Sequence, residues 1–168
     1  MACITGGQPA HFTQSILMAR FTSAFASLEL LRQPEQPNEP LQAFDAADEY
    51  LLNHLHSQPL TADSRVLLLN DSFGALACSL AGRCTLTSSG DSHLGFIALQ
   101  NNLARNDLAP DSVTFVPASA AVEGPFDLVL IRVPKTLALL EEHQLDLHSD
   151  CPLSLVQLAL WYWHQPLV

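Results

Sequence analysis

Three short polar turns carry the side chains of this chain that are best suited to chemistry. They are residues 70–72 (Asn-Asp-Ser), 90–92 (Gly-Asp-Ser) and 132–135 (Arg-Val-Pro-Lys), and each follows a short apolar run. Open α/β sheets place their ligands beyond the carboxyl ends of their strands. The sequence therefore predicts a ligand site at these turns if the apolar runs are strands of one sheet.

Gly90-Asp91-Ser92 is similar to the G-D-S turn that holds the nucleophile of some lipases and esterases. A serine nucleophile needs a general base, which those enzymes supply from a late D-x-x-H run. The nearest candidates here, Asp146 and His148, are one residue too close together. The sequence therefore argues against an esterase.

Neither the cysteines nor the acidic side chains are spaced as a metal site. The cysteines form no CxxC pair and no zinc spacing with the seven histidines. We expect reduced thiols, with Cys78 and Cys84 in the core. Asp45, Asp48 and Glu49 share one face of a predicted helix, but a metal there would need a further ligand. We predict instead that this face is solvated. The cysteines are Cys3, Cys78, Cys84 and Cys151.

Alternating strands and helices are predicted to position the polar turns. Short apolar runs indicate strands, and longer runs with helical spacing indicate helices. Asp71 or Ser72 is expected to cap the first of these helices. The pattern is that of βαβ units and predicts a Rossmann-like α/β fold with a mostly parallel sheet, with 126–131 near its centre. In order, the elements are strand 65–70, helix 75–80, strand 84–88, helix 93–106, strand 113–117 and strand 126–131.

The flanking segments are predicted as follows. Phe21–Arg32 alternates partly and indicates a strand or hairpin, and the prolines of Gln33–Pro40 indicate a stiff linker. Leu41–His56 is the clearest helix, with Asn38 as its cap and Pro40 in its first turn. Its packing face is predicted to include Phe44, Leu51 and Leu55.

The last third of the chain gives weaker signals. Thr136–Gln144 indicates a helix, and Leu153–Trp163 indicates either a strand or a helix. The aromatic tip at 161–163 can stack on bases, although a core or edge strand is the favoured interpretation.

Composition limits the function classes. The net charge is −10 and Lys135 is the only lysine. Most non-specific affinity for nucleic acid comes from neutralising phosphates, so this chain alone should bind RNA weakly. At 168 residues the chain has the size of one domain. It contains no run of ~18 apolar residues and no basic, apolar leader, so neither a membrane span nor a signal peptide is predicted.

Several motifs resemble those of class I S-adenosylmethionine methyltransferases. Val66–Leu76 lies on the family's first motif, V-L-D-L-G-x-G-x-G-x-L, and Asp91 stands where the family has an acidic residue after its second strand. The helix carrying Asn101, Asn102 and Asn106 resembles the family's A-x-x-N-x-x-x-N segment. More narrowly, LQAFDAADEYLL, LLLNDSFGALACSLA and VLIRVPKTLALLE resemble the N-terminal half of ribosomal RNA guanine-N2 methyltransferases of the RlmG and RsmC type. The RlmG branch is the closer one, over about residues 28–142.

The resemblance implies a cofactor pocket of which only half is kept. In the family, first-turn glycines let the backbone approach S-adenosylmethionine, and the carboxylate after the second strand holds the ribose. Here Asn70 and Ser72 replace glycines, Leu68 replaces the acidic residue of the first motif, and Asp71 is out of register. This domain is therefore expected to bind no cofactor. The vestigial pocket is predicted to consist of Asn70, Asp71, Ser72, Gly74 and Asp91.

The methyl-acceptor motif is changed in kind. The family's active domains carry N-P-P-F or N-P-P-Y after the fourth strand, where this chain has Arg132, Val133, Pro134 and Lys135. Arginine has no hydrogen-bond acceptor, so it cannot take the role of the asparagine. No catalytic residue is predicted. Arg132 is expected either to pair with a carboxylate such as Asp91 or to form a small RNA-binding patch with Lys135.

The resemblance implies a non-catalytic N-terminal domain of a cytoplasmic 23S ribosomal RNA (guanine-N2)-methyltransferase. It would support the catalytic half or position RNA, and that C-terminal half is absent from this chain. We predict a leader or artefact at 1–20, a degenerate methyltransferase-like domain at 21–150 and a divergent tail at 151–168.

Two alternatives stay open. One is an active or cofactor-binding methyltransferase domain that uses Asp91 and the 70–74 turn. The other is a non-enzymatic interaction module, which could form a homodimer.

Overall fold

The described part of the chain is built around a parallel sheet. The computed structural model describes residues 20–36, 39–132 and 156–157. The helices are α1 (Ala46–His56), α2 (Ala75–Leu80) and α3 (His93–Arg105), with a 3₁₀ turn at Pro110–Ser112. The strands are β1 (Arg20–Thr22), β2 (Ser27–Glu29), β3 (Arg65–Leu69), β4 (Thr85–Gly90), β5 (Val113–Pro117), β6 (Leu128–Ile131) and β7 (Val156–Gln157).

The strand order of the sheet is β5-β4-β3-β6-β7, and its paired strands run parallel. The chain moves outward from β3 through β4 to β5 and then returns to place β6 on the other side of β3. A reversal of this kind opens a crevice beyond the carboxyl ends of β3 and β6. The predicted Rossmann-like α/β fold is confirmed, although the middle strand is β3 and β6 lies next to it.

The two faces of β3 are buried in different clusters. Val66 and Leu68 lie in the larger cluster with side chains of all three helices, whereas Leu67 and Leu69 pack with Val129 and Ile131 on the opposite face. Burial on both faces explains why β3 is apolar from Val66 to Leu69. β3 ends at Leu69, where the polar turn at Asn70 begins. This turn therefore lies at the carboxyl end of β3, beside the crevice.

An antiparallel hairpin formed by β1 and β2 covers part of the larger cluster. Its Phe21 is fully buried and contacts the ring of Phe44 at a centroid distance of 4.6 Å. The expected hairpin in 21–32 is thus confirmed.

The start of α1 was wrongly predicted. The helix begins at Ala46, not near Leu41, and Asp45 is its N-cap in a capping box with Asp48. Leu41 is 59% exposed, whereas Asp48, which was expected on a solvated face, is fully buried. The capping box fixes this start because both side chains satisfy backbone N–H groups of the first turn. Leu51 and Leu55 are buried as predicted, and Phe44 precedes the helix and is partly buried.

Several predictions lie outside the described residues. These include Asn38, the helix at 136–144 and the aromatic tip at 161–163; within 153–163 only β7 is described, as a strand. Cys78 and Cys84 are free and buried, as expected. Among the described residues, no helix is long and apolar enough to cross a membrane.

Candidate functional site

The turns after β3 and β4 meet at the carboxyl edge of the sheet and enclose a pocket of ≈ 170 Å³. The amino end of α3 and one residue of β5 complete it. Its aromatic wall is formed by Phe96 and Phe115, whose ring centroids are 4.6 Å apart. Here "the pocket" means this space, which is lined by residues 70–73, 88–92, Gly95, Phe96 and Phe115.

Asp91 lies at the pocket as predicted from its position after β4. It is exposed, and no hydrogen bond or ion pair engages its carboxylate within the described residues. The next residue, Ser92, is the N-cap of α3, and its Oγ accepts the backbone N–H of Gly95 at 3.1 Å. Ser92 therefore has a structural role, and Asp91 is left free to meet a ligand.

Asn70 adopts the left-handed conformation, with φ of 64°. Its backbone N–H donates to the carbonyl of Ser89 at 3.0 Å, and its side-chain Nδ2 donates to the carbonyl of Arg132 at 3.3 Å. Asparagine tolerates this backbone region better than most residues. The residue in place of a family glycine thus keeps the required backbone conformation, while its side chain connects the ends of β3 and β6.

Gly74 is needed for helix packing. It has φ of +84°, and a Cβ atom built there would lie 2.8 Å from Leu99 Cδ1 and 3.1 Å from Leu99 Cα. The first distance is shorter than real Cβ atoms show, and the second is tighter than most Cβ contacts. The packing of this turn against α3 therefore accounts for a glycine at this position.

Asp71 is directed toward α2. Its Oδ2 accepts the backbone N–H of Ala77 at 2.8 Å, which confirms the expected capping role of this side chain, although the N-cap position itself is Gly74. Its Oδ1 is shielded from solvent and has no hydrogen-bond partner among the described residues. Burial raises the pKa of Asp71, and the hydrogen bond from Ala77 and the charge of Arg132 oppose that rise.

Arg132 bridges the crevice between the ends of β3 and β6. Its Nη2 pairs with Asp45 Oδ2 from the cap of α1, and its Nη1 donates to Ser72 Oγ at 3.1 Å. The same Nη1 lies 3.9 Å from Asp48 Oδ1, and the side chain is only 20% exposed. The prediction of an internal ion pair is thus confirmed, but Asp91 is wrong as its partner. Here "the Arg132 cluster" means Asp45, Asp48, Asp71, Ser72 and Arg132.

Asp48 is the member of this cluster that the sequence did not reveal. Its Oδ2 accepts the backbone N–H of Asp45 at 2.9 Å, and its Oδ1 has no hydrogen-bond partner among the described residues. Burial raises the pKa of Asp48 to about 7; the charge of Arg132 works against this shift and that of Asp71 adds to it. The D-x-x-D spacing of Asp45 and Asp48 is a capping-box signal that could have identified both residues.

Asn102 in α3 and Asn106, the C-cap of that helix, hold the β1–β2 hairpin, and Asn102 also holds the turn after β3. Asn102 is buried; its Oδ1 accepts the N–H of Leu31, and its Nδ2 donates to the carbonyls of Leu31 and Phe73, each at 2.9 Å. Asn106 makes the corresponding pair with Glu29, at 2.8 Å and 2.9 Å. The A-x-x-N-x-x-x-N resemblance marked both residues but did not indicate this role.

A family model decides the classification. The model described as the RLMG N-terminal domain matches residues 18–157. The chain belongs to this family. A ribosomal RNA large subunit methyltransferase G from Ectopseudomonas mendocina is 74% identical over 133 residues, which cover 79% of this chain and 36% of that protein. The protein of the same name from Pseudomonas aeruginosa strain UCBPP-PA14 is 66% identical over the same shares of both chains. The chain thus spans about a third of the length of the curated relatives it matches.

Solved structures support the fold of this family. A precorrin 8W decarboxylase from Methanobacterium thermoautotrophicum superposes with a TM-score of 0.52 at 17% identity, over 73% of this chain and 63% of that one. A putative S-adenosylmethionine-dependent methyltransferase from Streptococcus mutans gives a TM-score of 0.50 at 14% identity, over 70% and 32%. At such low identities these two matches support the Rossmann-like α/β fold and nothing finer.

The site as a whole has two parts. One is the pocket, with an aromatic wall and the Asp91 carboxylate, which has no partner among the described residues; the other is the Arg132 cluster, where Arg132 pairs with Asp45. Asp71 and Ser72 belong to both parts. Val133, Pro134 and Lys135 lie outside the described residues. Within the described residues no group of three or more His, Cys, Asp or Glu side chains is arranged to hold a metal ion.

Proposed function

We propose that this chain is the non-catalytic N-terminal domain of a 23S ribosomal RNA (guanine-N2)-methyltransferase that works in the cytoplasm. In this role it binds no S-adenosylmethionine itself and supports the catalytic half or positions its RNA. The names of the relatives support the enzyme class. The observation that carries the non-catalytic assignment is the bridge from Arg132 to Ser72 and Asp45.

By the arrangement that the family resemblance implies, a cofactor would have to pass this bridge. In the class I family the cofactor runs from the carboxylate after the second strand, past the first turn, toward the acceptor motif after the fourth strand. Here the first turn is joined to the end of β6 twice, by Arg132 to Ser72 and by Asn70 to the Arg132 carbonyl. Opening this path would break both hydrogen bonds and separate Arg132 from Asp45. This is costly because the Arg132 side chain is only 20% exposed.

Of the four residues that replace the methyl-acceptor motif, the structure describes only Arg132, and its side chain does not suit the acceptor chemistry either. A guanine amino group donates hydrogen bonds and needs an acceptor opposite it. Arg132 offers only donors, and they are already directed at Asp45 and Ser72. The position after β6 therefore serves the structure of the domain.

Calorimetric titration with S-adenosylmethionine tests this assignment. We expect no saturable heat from the chain up to about 1 mM cofactor, whereas a full-length relative that includes the catalytic half should give a saturable isotherm in the same buffer. A micromolar dissociation constant for the isolated chain would contradict the proposal.

A second candidate function is residual binding of the adenosine part of the cofactor. It is favoured by the pocket, which is lined both by the free Asp91 carboxylate and by the Phe96 and Phe115 rings. Titration with adenosine instead of the full cofactor separates the two, because adenosine need not pass the Arg132 bridge. Saturable adenosine binding that disappears in Asp91→Ala would favour the second candidate.

If this domain helps to position RNA, its acidic charge still predicts that it binds RNA weakly on its own. Seven Lys and Arg residues stand against seventeen Asp and Glu residues, so the long-range field repels phosphate. Arg132 is engaged internally and cannot form the predicted patch without leaving Asp45. In an anisotropy assay with a 23S ribosomal RNA fragment, we expect weak, salt-sensitive binding that Arg132→Ala leaves unchanged. Tight binding that falls on this substitution would show that Arg132 contacts RNA.

A further inference from the structure

The Arg132 cluster holds more negative than positive charge. It brings three carboxyl groups, those of Asp45, Asp48 and Asp71, into range of a single guanidinium. The guanidinium is closest to Asp45, which is half-exposed, and lies 3.9 Å from Asp48. If all three carboxyl groups were ionised, two negative charges would remain in a shielded place with no cation of their own.

Two oxygen atoms show the same imbalance in the hydrogen bonds. Asp48 Oδ1 and Asp71 Oδ1 are both shielded from solvent and both lack a hydrogen-bond partner among the described residues. An ionised carboxylate can only accept hydrogen bonds, so each of these two oxygens needs a donor that the described residues do not supply. A single added proton changes this, because it turns one acceptor into a donor and removes one charge.

The environment of each carboxyl group indicates which one holds the proton. Asp71 is favoured in its charged form by backbone N–H groups of Ala77, Leu76 and Gly74. Asp48 has one such donor, Asp45, and is completely buried. The charged groups that act on Asp48 come from three elements: Asp45 at the cap of α1, Asp71 after β3 and Arg132 after β6.

We propose that Asp48 stays protonated well above the pH at which an exposed aspartate ionises, up to near neutrality, and that this proton belongs to the native structure of the cluster. With Asp48 neutral, the charge of Arg132 is matched by Asp45, and the bridge to Ser72 can form without an uncompensated carboxylate beside it. The occupant is a proton and not a metal ion, because the guanidinium already takes the place of a cation and no metal-binding group is found among the described residues.

The sign of the pH dependence follows from the direction of the shift. Burial raises the pKa of Asp48 from 3.8 to about 7 in the native state. The native state then holds a proton that the unfolded chain releases near pH 4. This contribution to stability is complete below pH 4 and is lost as the pH rises to about 7. In this window the unfolding equilibrium constant grows by up to about tenfold per pH unit from this group.

Urea unfolding at pH 5 and pH 7.5 tests the proposal in the 168-residue chain. Asp48→Asn imitates the neutral carboxyl group and cannot ionise. We expect the ratio of the wild-type unfolding constant to that of Asp48→Asn to rise at least about tenfold between the two pH values. The matched control is Asp63→Asn, an exposed aspartate, for which the same ratio should stay within about twofold. An unchanged ratio for Asp48→Asn would overturn the proposal.

A second measurement follows the titration in the wild-type chain and uses variants only to assign the resonance. Carboxyl ¹³C NMR of the wild-type chain labelled at aspartate should show one aspartate that titrates near pH 7 rather than near pH 4. Assignment of that resonance to Asp48, by its loss in Asp48→Asn, would support the proposal. Its loss in Asp71→Asn instead, or titration of every aspartate below pH 5, would refute it.

Discussion

The two halves of the crevice differ in what their polar groups do. In the pocket the Asp91 carboxylate is exposed and unpartnered among the described residues, and two aromatic rings form a wall. In the Arg132 cluster Arg132 pairs with Asp45 and donates to Ser72, while Asp48 and Asp71 each accept a backbone N–H group. The Asp91 carboxylate is thus available to a ligand, whereas the side chains of the Arg132 cluster are engaged with neighbouring groups of the protein.

Packing accounts for some features of the crevice, and the side chains that line it account for the others. The strand order, the left-handed Asn70 turn and the tight glycine beside Leu99 are all demanded by the packing of the sheet and α3. The side chains that line the crevice are less constrained by this packing, and near the end of β6 Arg132 pairs there with Asp45.

The largest effect is expected at the asparagine that fixes the turn between the two halves. Asn102→Ala would leave the N–H and carbonyl of Leu31 and the carbonyl of Phe73 without their partners in a part-buried place. Each lost partner costs about 1–3 kcal/mol, so we expect a loss of about 3–5 kcal/mol in a urea melt. The neighbouring Asn101 is exposed, and Asn101→Ala should stay within about 0.5 kcal/mol.

A somewhat smaller effect is expected at Gly74, which separates backbone strain from crowding. Gly74→Ala adds a methyl group that meets Leu99 at 2.8 Å and 3.1 Å, and it must also hold φ at +84°. We expect a loss of about 2–4 kcal/mol. Gly82 has φ of +73° with nothing within 4 Å, so Gly82→Ala should cost about 1–2 kcal/mol. Equal losses in thermal or urea unfolding would show that crowding by Leu99 contributes nothing.

Removing the bridge is expected to have a pH-dependent effect. Arg132→Ala leaves the Asp48 and Asp71 carboxyl groups without their cation, and we expect a loss of about 2–3 kcal/mol at pH 8. The loss should shrink at pH 5, where Asp48 is protonated. Arg20, whose pair with Glu29 is exposed and 4.0 Å long, provides the control, and Arg20→Ala should cost at most about 0.5 kcal/mol at either pH. A loss that does not vary with pH would separate Arg132 from these carboxyl groups.

Much of this fold could be predicted from the sequence because its signals are local. β5 was predicted at its observed bounds, and β3 and α3 to within one residue, since each is an apolar pattern bounded by polar turns. The start of α1 was missed because Pro40 gives a plausible start signal, while the capping box at Asp45 resembles surface acidity.

The contents of the site depend on contacts that are distant in the sequence. Arg132 and Asp45 are separated by 87 positions, and no periodicity connects them. The capping-box spacing marks Asp48, but the local pattern does not indicate that Asp48 is buried while Glu49 is exposed. Position after a strand was enough to place Asp91 at the pocket, but which carboxylate Arg132 binds is decided by the docking of α1.

The smallest effects are expected in the pocket, and they complete the comparison. Asp91→Asn removes a charge that contacts no partner among the described residues, so unfolding free energy should change by less than about 0.5 kcal/mol. Ser92→Ala, its neighbour, removes the cap hydrogen bond to Gly95 and should cost about 1 kcal/mol. If Asp91→Asn instead destabilised the chain to the same extent that Arg132→Ala does, the polar groups of the pocket would stabilise the fold just like those of the cluster. Urea melts of the two variants at one pH decide this, because a group kept free for a ligand has no contact to lose on substitution.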